Sequence, residues 1–235
     1  MKTAIMQPYF LPYIGYWQLL HAVDQFVILD DVNYIKRGYI NRNSILIDGK
    51  PFRFTIPVQN ASQNRLICDT RLCFSIRQKK NLVRTISNAY KRAPCYPEVM
   101  SLIEGIINFE EEDLTTYIFN SIQKVVDYLN IKTDLYLSSK LEKNKELKSE
   151  DRIIEICKVM ATDIYINPWG GRKLYDHEHF KKENIKLFFL NTRKTHILYR
   201  QENEKFEPDL SVIDLLMFNK KEAIQKYLTE YDLIE

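Results

Sequence analysis

Residues 6–34 read MQPYFLPYIGYWQLLHAVDQFVILDDVNY, and this stretch decides the fold class. It predicts a strand, a tight loop, a helix and a second strand. Residues 3–6 form a short apolar run, Pro8 and Pro12 keep the following loop out of a helix, and the apolar side chains after Pro12 share one helical face. Residues 26–29 then read as a buried strand that ends in two acids. Such a unit opens the nucleotide-binding α/β folds, in which ligands lie beyond the carboxyl ends of the strands.

The rest of the chain returns to this pattern after an interruption. Residues 38–74 predict an antiparallel hairpin around the turn pair Asp48-Gly49, and residues 75–130 predict a helical insertion. Strands near residues 134–137, 163–167 and 185–190 then alternate with helices. We therefore predict an α/β protein with a parallel Rossmann-like sheet, similar to that of nucleotidyltransferases. Its 235 residues are expected to form a single domain over positions 1–235.

Composition and charge restrict the classes of partner. The net charge is +3, and the densest basic stretch, residues 78–92, is interpreted as a solvated helix face rather than an RNA or phosphate patch, so no nucleic-acid partner is expected. The four cysteines contain no CxxC pair, which is typical of reduced structural thiols. No apolar run approaches the ~20 residues of a membrane span. We expect a cytoplasmic protein without membrane insertion, although one that could act at the inner face of a membrane.

Five sequence blocks carry a resemblance to a known family. The chain resembles the WbqC-like protein family, whose members open with a QPYFLPYIGY-type block and continue with DDV-x-Y, NRN, GG-x-x-x-YD and DLS-x-x-DLL blocks. In this sequence the blocks are residues 7–16, 30–34, 41–43, 170–176 and 209–216. The resemblance implies a role among bacterial surface-polysaccharide functions, such as those of O-antigen and lipopolysaccharide synthesis.

The start of the first helix is similar, more distantly, to that of pantothenate synthetase and related adenylyl-transferring enzymes. Those enzymes begin the helix with His-x-Gly-His, where this chain has Tyr13, Ile14, Gly15 and Tyr16. A glycine at this position lets a nucleotide approach the free N–H groups of the helix start. Because both histidines are replaced by tyrosines, the likeness implies the fold more strongly than the catalysis.

Polar residues near the predicted strand ends are the candidate site residues. Asp30 and Asp31 could bind Mg²⁺ or a ribose, or Asp31 could only cap a turn. His196 is the best candidate for acid–base work, because the ordinary pKa of histidine lies near neutral pH. The candidate catalytic residues are Asp30, Asp31 and His196, and the candidate ligand-binding residues are Gln7, Tyr9, Tyr13, Gly15, Tyr16, Lys36, Asn41, Arg42, Asn43, Gly170, Gly171, Tyr175, Gln201 and Asp214.

Each group of candidates has a structural alternative. Lys36 and residues 41–43 are typical of a clamp on phosphate or carboxylate, or they are ordinary surface charge. Gly170 and Gly171 are expected to turn backbone N–H groups toward an anion, or to form a simple turn in which Asp176 caps the next helix. Asp214 follows Ser211 at the spacing of a capping box. No zinc site is expected, because residues 177–179 lack the spacing that places two histidine ligands on one helical face.

Three functional hypotheses follow. The first is an enzyme of surface-polysaccharide or nucleotide-sugar metabolism that transfers an acyl or aminoacyl group to an amino sugar, with ATP and Mg²⁺ as cofactors if a carboxylate is activated. The second is a nucleotide or nucleotide-sugar binding module without catalysis. The third is an assembly partner in a polysaccharide-synthesising complex. The sequence contains no G-x-S-x-G, P-loop or G-x-G-x-x-G motif, which excludes the common hydrolase, kinase and dehydrogenase classes.

Overall fold

The computed structural model describes residues 1–201 and 205–235. The strands are β1 (Lys2–Met6), β2 (Gln25–Ile28), β3 (Arg42–Ile47), β4 (Lys50–Thr55), β5 (Asp134–Leu137), β6 (Ile164–Pro168), β7 (Lys186–Thr192) and β8 (Tyr231–Ile234). The helices are α1 (Ile14–His21), α2 (Ile76–Tyr90), α3 (Tyr96–Ile107), α4 (Leu114–Tyr128), α5 (Ser149–Val159), α6 (His177–Lys182), α7 (Val212–Phe218) and α8 (Lys221–Tyr227).

The central sheet confirms the predicted α/β class. Its strand order is β5-β2-β1-β6-β7-β8, and the first five of these strands are parallel. Thr3 is paired with Gln25 on one side and with Tyr165 on the other, so β1 occupies the middle of the sheet. The edge strand β8 is antiparallel to β7, and the sequence analysis did not predict it.

Helices cover both faces of this sheet, as a parallel sheet requires. Alternate residues of the strands supply the two cores, because successive side chains of a strand point to opposite faces. Ala4, Phe26 and Ile28 pack with α1, the helical insertion and the C-terminal helices α7 and α8. Ile5 and Val27 pack with α5 and α6.

The hairpin and the helical insertion lie where the sequence predicts them. β3 and β4 form a separate antiparallel sheet, and the turn at Asp48 and Gly49 has positive φ at both residues, at 50° and 71°. This geometry is that of a tight hairpin turn. The insertion contains α2, α3 and α4, and a reciprocal capping box between Ser75 and Gln78 starts α2.

The direction of chain progression reverses at β1. The first crossover runs from β1 to β2, whereas β6 and β7 lie on the other side of β1. A crevice therefore opens beyond the carboxyl ends of β1 and β6, which is where ligands bind in open α/β sheets. Within the described ranges, no helix combines the length and apolarity needed to cross a membrane.

Candidate functional site

A cavity of about 360 Å³ occupies the crevice at this reversal of strand order. We call it the switch-point cavity. Loops after β1, β6 and β7 form its walls together with the start of α1. It is lined by Tyr9, Pro12, Tyr13, Gly15, Tyr39, Asn43, Pro168, Trp169, Gly170, Leu190, Asn191, Thr192, Lys194 and Asp209.

Aromatic side chains form much of the cavity wall. The ring of Tyr9 lies 6.0 Å from that of Tyr39, which is 59% exposed and so accessible to a ligand. Trp169 carries the guanidinium of Arg172 at 4.4 Å from its ring centre. Aromatic faces of this kind suit stacking on a base or on the apolar face of a sugar.

The start of α1 opens into the same cavity. Tyr13 is the N-cap residue, and no side chain caps the helix through it. The N–H groups of an uncapped first turn attract anions such as phosphate. Packing within the protein also requires a glycine at position 15, because a Cβ there would lie 2.5 Å from the ring of Tyr13.

The loop between β1 and α1 is held by Trp17 and by one residue each from the NRN and DLS blocks. Leu11 has a positive φ of 46°, which is uncommon for a branched residue. Its carbonyl oxygen accepts hydrogen bonds from Asn43 Nδ2 at 2.7 Å and from Ser211 Oγ at 2.7 Å. The carbonyl oxygen of Pro12 accepts from Trp17 Nε1 at 2.9 Å. These bonds fix the loop that carries Tyr9 and Tyr13 into the cavity.

Asn43→Ala is expected to lower the free energy of unfolding by about 1–3 kcal/mol, the cost of leaving buried polar groups without a partner. Asn43 is buried and also accepts a hydrogen bond from Ser44 N, so the substitution removes bonds at both ends of its amide. Urea denaturation measures the change. Asn64→Ala, at an exposed position, is the control and should change stability little. Equal stability of the two variants would contradict a clamping role.

One ion pair supplies the formal charge of the cavity wall. Lys194 Nζ donates to Asp209 Oδ2, and these two alone are ordinarily ionised at neutral pH among the lining residues that belong to positions 1–201 and 205–235. Burial, followed by the negative charge of Asp209, raises the pKa of Tyr13 to about 12. Tyr13 therefore stays a neutral phenol that can donate or accept a hydrogen bond near neutral pH.

Asp30 lies outside the switch-point cavity and is bound within the protein. Its buried carboxylate accepts hydrogen bonds from Ser139 N at 2.8 Å and Ser139 Oγ at 2.6 Å. Burial raises the pKa of Asp30, although the bonds from Ser139 oppose this shift. These contacts join the chain after β2 to the chain after β5, which gives Asp30 a structural role.

Asp31 pairs with a buried lysine. Its Oδ2 lies 2.8 Å from Lys143 Nζ, and the side chain of Lys143 is fully buried. Burial works to raise the pKa of Asp31, but the side chains of Lys143 and Ser138 and the positive charges of Lys143 and Arg152 outweigh it and lower that pKa. Asp31 also borders a second cavity of about 860 Å³, which lies next to the start of α5 and includes Tyr175.

The two glycines after β6 have different surroundings. A Cβ at Gly170 would meet no heavy atom within 4 Å, whereas a Cβ at Gly171 would lie 2.0 Å from Asn167 Nδ2. Asp176 accepts a hydrogen bond from Glu178 N at 3.0 Å and caps α6, as the structural alternative predicts. Gly170 lines the switch-point cavity, whereas Tyr175 lines the second cavity.

Asp214 and Gln201 belong to a buried hydrogen-bond cluster. The carboxylate of Asp214 accepts from Tyr90 at 2.8 Å, Tyr199 at 2.7 Å and Gln201 at 2.8 Å. Burial raises its pKa, and the three donors oppose the shift. Asp214 thus points into the protein instead of completing a capping box, while Ser211 Oγ accepts from Ile213 N as the N-cap of α7.

Several other candidates do not line the cavity. His196 is exposed and lies 2.8 Å from Glu230. Lys36 is exposed on the loop after Tyr34. The remaining four make internal contacts: Gln7 O accepts from Tyr16 at 3.1 Å, Asn41 donates to Ile56 O at 2.8 Å, and Arg42 donates to Gly38 O at 2.7 Å.

Of the seventeen candidates, Tyr9, Tyr13, Gly15, Asn43 and Gly170 meet in the cavity. The sequence analysis did not single out Tyr39, Trp169, Asn191, Thr192, Lys194 or Asp209, which also line it. Asn191 and Thr192 could have been identified as candidates from the sequence, because they are polar residues at the carboxyl end of a buried strand. Asp209 lies in the DLS block, from which the sequence analysis selects only Asp214 as a candidate site residue.

The fold and the cavity define a Rossmann-like α/β protein with its candidate site at the reversal of strand order. The chain belongs to the WbqC-like protein family, which matches residues 7–226, so the resemblance drawn from the sequence blocks is confirmed. It is also similar to an uncharacterized protein of Mycobacterium tuberculosis, with 28% identity over 229 residues that make up 97% of each chain. No solved structure matches it.

Proposed function

We propose that the protein is an enzyme of bacterial surface-polysaccharide or nucleotide-sugar metabolism that binds a nucleotide sugar in the switch-point cavity. One observation carries this proposal. The cavity joins an uncapped helix start, suited to a diphosphate, to aromatic faces suited to a base and a sugar. WbqC-like membership supports the polysaccharide context.

The charges of the wall favour a nucleotide sugar over ATP with Mg²⁺. Lys194 is the one lining lysine, and Asp209 already neutralises it. A triphosphate carries more negative charge than a diphosphate ester and needs more compensating cations. Mg²⁺ prefers carboxylate ligands together with phosphate oxygens, and in the part of the chain that the structure describes Asp209 is the single carboxylate that lines the cavity.

The reaction that fits this wall is transfer of an acyl or aminoacyl group to the amino group of a sugar. The sugar nitrogen attacks the carbonyl carbon of an activated acyl donor, and the new C–N bond replaces the bond between that carbon and the leaving group of the donor. The amine loses a proton in this exchange and the leaving group departs with a proton, so a base that can carry the proton has to lie close to the nitrogen. Asp209 is the lining residue that can accept this proton, since Asp30, Asp31 and His196 lie outside the cavity. Lys194, as its partner, would hold the carboxylate in place.

A non-catalytic binding module is the second candidate function. The observation that favours it is the replacement of both helix-start histidines by Tyr13 and Tyr16. A tyrosine is already protonated at neutral pH, and burial raises the pKa of each of these two further. A module of this kind would bind the same ligands without turning them over.

We expect UDP- and dTDP-linked amino sugars to raise the melting temperature more than ATP with Mg²⁺ does. A ligand at a hundred times its dissociation constant adds about 2.7 kcal/mol to the stability of the native state. A melting-shift series with nucleoside diphosphates, free amino sugars and complete nucleotide sugars measures the contribution of each part. Stabilisation by ATP with Mg²⁺ but by no nucleotide sugar would contradict the proposal. Binding of a nucleotide sugar without turnover of an acyl donor would favour the non-catalytic binding module.

A further inference from the structure

The solvent-facing side of α2 carries a row of cations. Arg77, Lys80, Arg84 and Lys91 are exposed and, at about 100° per residue, lie within a sector of roughly 60°. We call these four residues the cationic row. The opposite side of the helix is buried through Leu82, Ile86 and Tyr90.

The charge of the cationic row is not compensated by ion pairs, although Arg71 in the same segment pairs with Glu112 at 3.9 Å. Residues 70–97 contain seven lysines and arginines and no acid, in a chain whose net charge is only +3. No carboxylate in the described parts of the chain forms an ion pair with a member of the cationic row. From Arg77 to Lys91, the C-cap residue directly after α2, the row covers 14 steps along the helix axis, which corresponds to about 21 Å.

We propose that the cationic row docks the protein on an anionic membrane surface. A straight row on a helix that packs flat against the body of the protein fits a plane of lipid headgroups, and each cation near such a surface strengthens binding about fivefold. Ile76, at the first turn of α2, is 74% exposed and adds an apolar contact at one end of the row.

Nucleic acid fits the same surface less well. The row contains no aromatic side chain on which bases could stack, and Ile76 has no favourable contact with phosphate. Membrane docking is a property of α2 and does not depend on which ligand occupies the switch-point cavity.

Sedimentation with lipid vesicles tests the proposal. The full-length protein is expected to sediment with vesicles of 30% phosphatidylglycerol in phosphatidylcholine, but not with pure phosphatidylcholine, and to be released by high salt. The double variant Arg84→Glu/Lys91→Glu should reduce binding at least tenfold. The matched control is Lys182→Glu/Lys186→Glu, which makes the same charge change at two exposed positions, the last residue of α6 and the first residue of β7.

The two variants separate docking through the row from attraction by net charge. Retained binding of the control together with lost binding of the α2 variant supports the proposal. Equal loss in both variants, or no binding of the unaltered protein to anionic vesicles, would overturn it. Release from the vesicles by an equal charge concentration of duplex DNA would also overturn it and assign the row to nucleic acid.

Discussion

Lys143→Met is expected to lower the free energy of unfolding by about 3–5 kcal/mol, the cost of removing one partner from a buried ion pair. The side chain of Lys143 is fully buried and that of Asp31 is 12% exposed. Methionine preserves most of the volume of the lysine stem, so the loss measures the uncompensated carboxylate rather than a cavity. Chemical denaturation of both proteins provides the measurement.

Two further variants separate the charge effect from a general effect on this loop. Lys145→Met alters an exposed lysine two positions away and should be nearly neutral. Adding Asp31→Leu to Lys143→Met should recover much of the lost stability, because an apolar pair can replace a buried ion pair at little cost. If the double variant is as unstable as the single one, the loss does not come from the unpaired carboxylate.

The pH dependence of this effect has a definite sign. The pKa of Asp31 is lowered in the folded state, so the stabilisation by the pair is present above the unfolded pKa of about 3.9 and is lost as pH falls through the lower folded pKa. The difference in stability between the unaltered protein and Lys143→Met should therefore be largest near neutral pH. It should shrink in acid.

The sheet could be predicted from the sequence because its parallel strands are buried on both faces. Residues 26–28 and 164–166 are continuous apolar runs with β-branched residues, and such runs have few other stable placements. The edge strand β8 could not be predicted in this way. It has four residues, Tyr231–Ile234, with an aspartate in second place, and it is a strand because β7 offers it an open edge.

The candidate site could be predicted only in part, because strand order is not readable from strand sequences. Asp30 and Asp31 follow the second strand and look like ligands at its carboxyl end. In the sheet, however, β2 lies on the side of β1 away from β6, while the crevice opens between β1 and β6. Tyr9 and Gly170 follow the two strands that border the crevice, and both line the cavity.

Polar side chains of a sequence block can bind the protein backbone instead of a ligand, and the sequence alone does not distinguish the two roles. The amide of Asn43 and the hydroxyl of Ser211 could equally bind a ligand or the backbone. In the fold they converge on the carbonyl oxygen of Leu11, from positions 32 and 200 residues away along the chain. The spacing of the blocks along the chain does not predict that both side chains bind the carbonyl oxygen of Leu11. The NRN and DLS blocks thus support the opening block, which carries the aromatic wall.

Gly170→Val is expected to weaken binding of a nucleotide sugar about ten- to hundredfold while leaving the melting temperature of the free protein nearly unchanged. Gly170 lines the switch-point cavity, and a side chain there would meet open space rather than protein. The isopropyl group would therefore occupy volume that the ligand needs, at a cost comparable to the ~1–3 kcal/mol of overpacking a filled site.

Gly171→Val is the matched variant with the opposite expectation. A Cβ at Gly171 would lie 2.0 Å from Asn167 Nδ2. Asn167 is 5% exposed, accepts a hydrogen bond from Tyr165 at 3.1 Å and donates one to Pro168 O at 3.2 Å, so it can move only by giving up these bonds. Gly171→Val should therefore lower the melting temperature of the free protein, with overpacking again costing about 1–3 kcal/mol.

Titration calorimetry well below both melting temperatures measures the affinity of each variant for the nucleotide sugar. The comparison distinguishes the roles of the two glycines, because the same side chain is added at neighbouring positions of one turn. Weak binding by Gly170→Val and near-normal binding by folded Gly171→Val would locate the ligand on the Gly170 side of the loop. Equal affinities in the two variants would place the nucleotide sugar elsewhere, and the second cavity would then be the site to test, since Lys173, Leu174 and Tyr175 from the same loop line it.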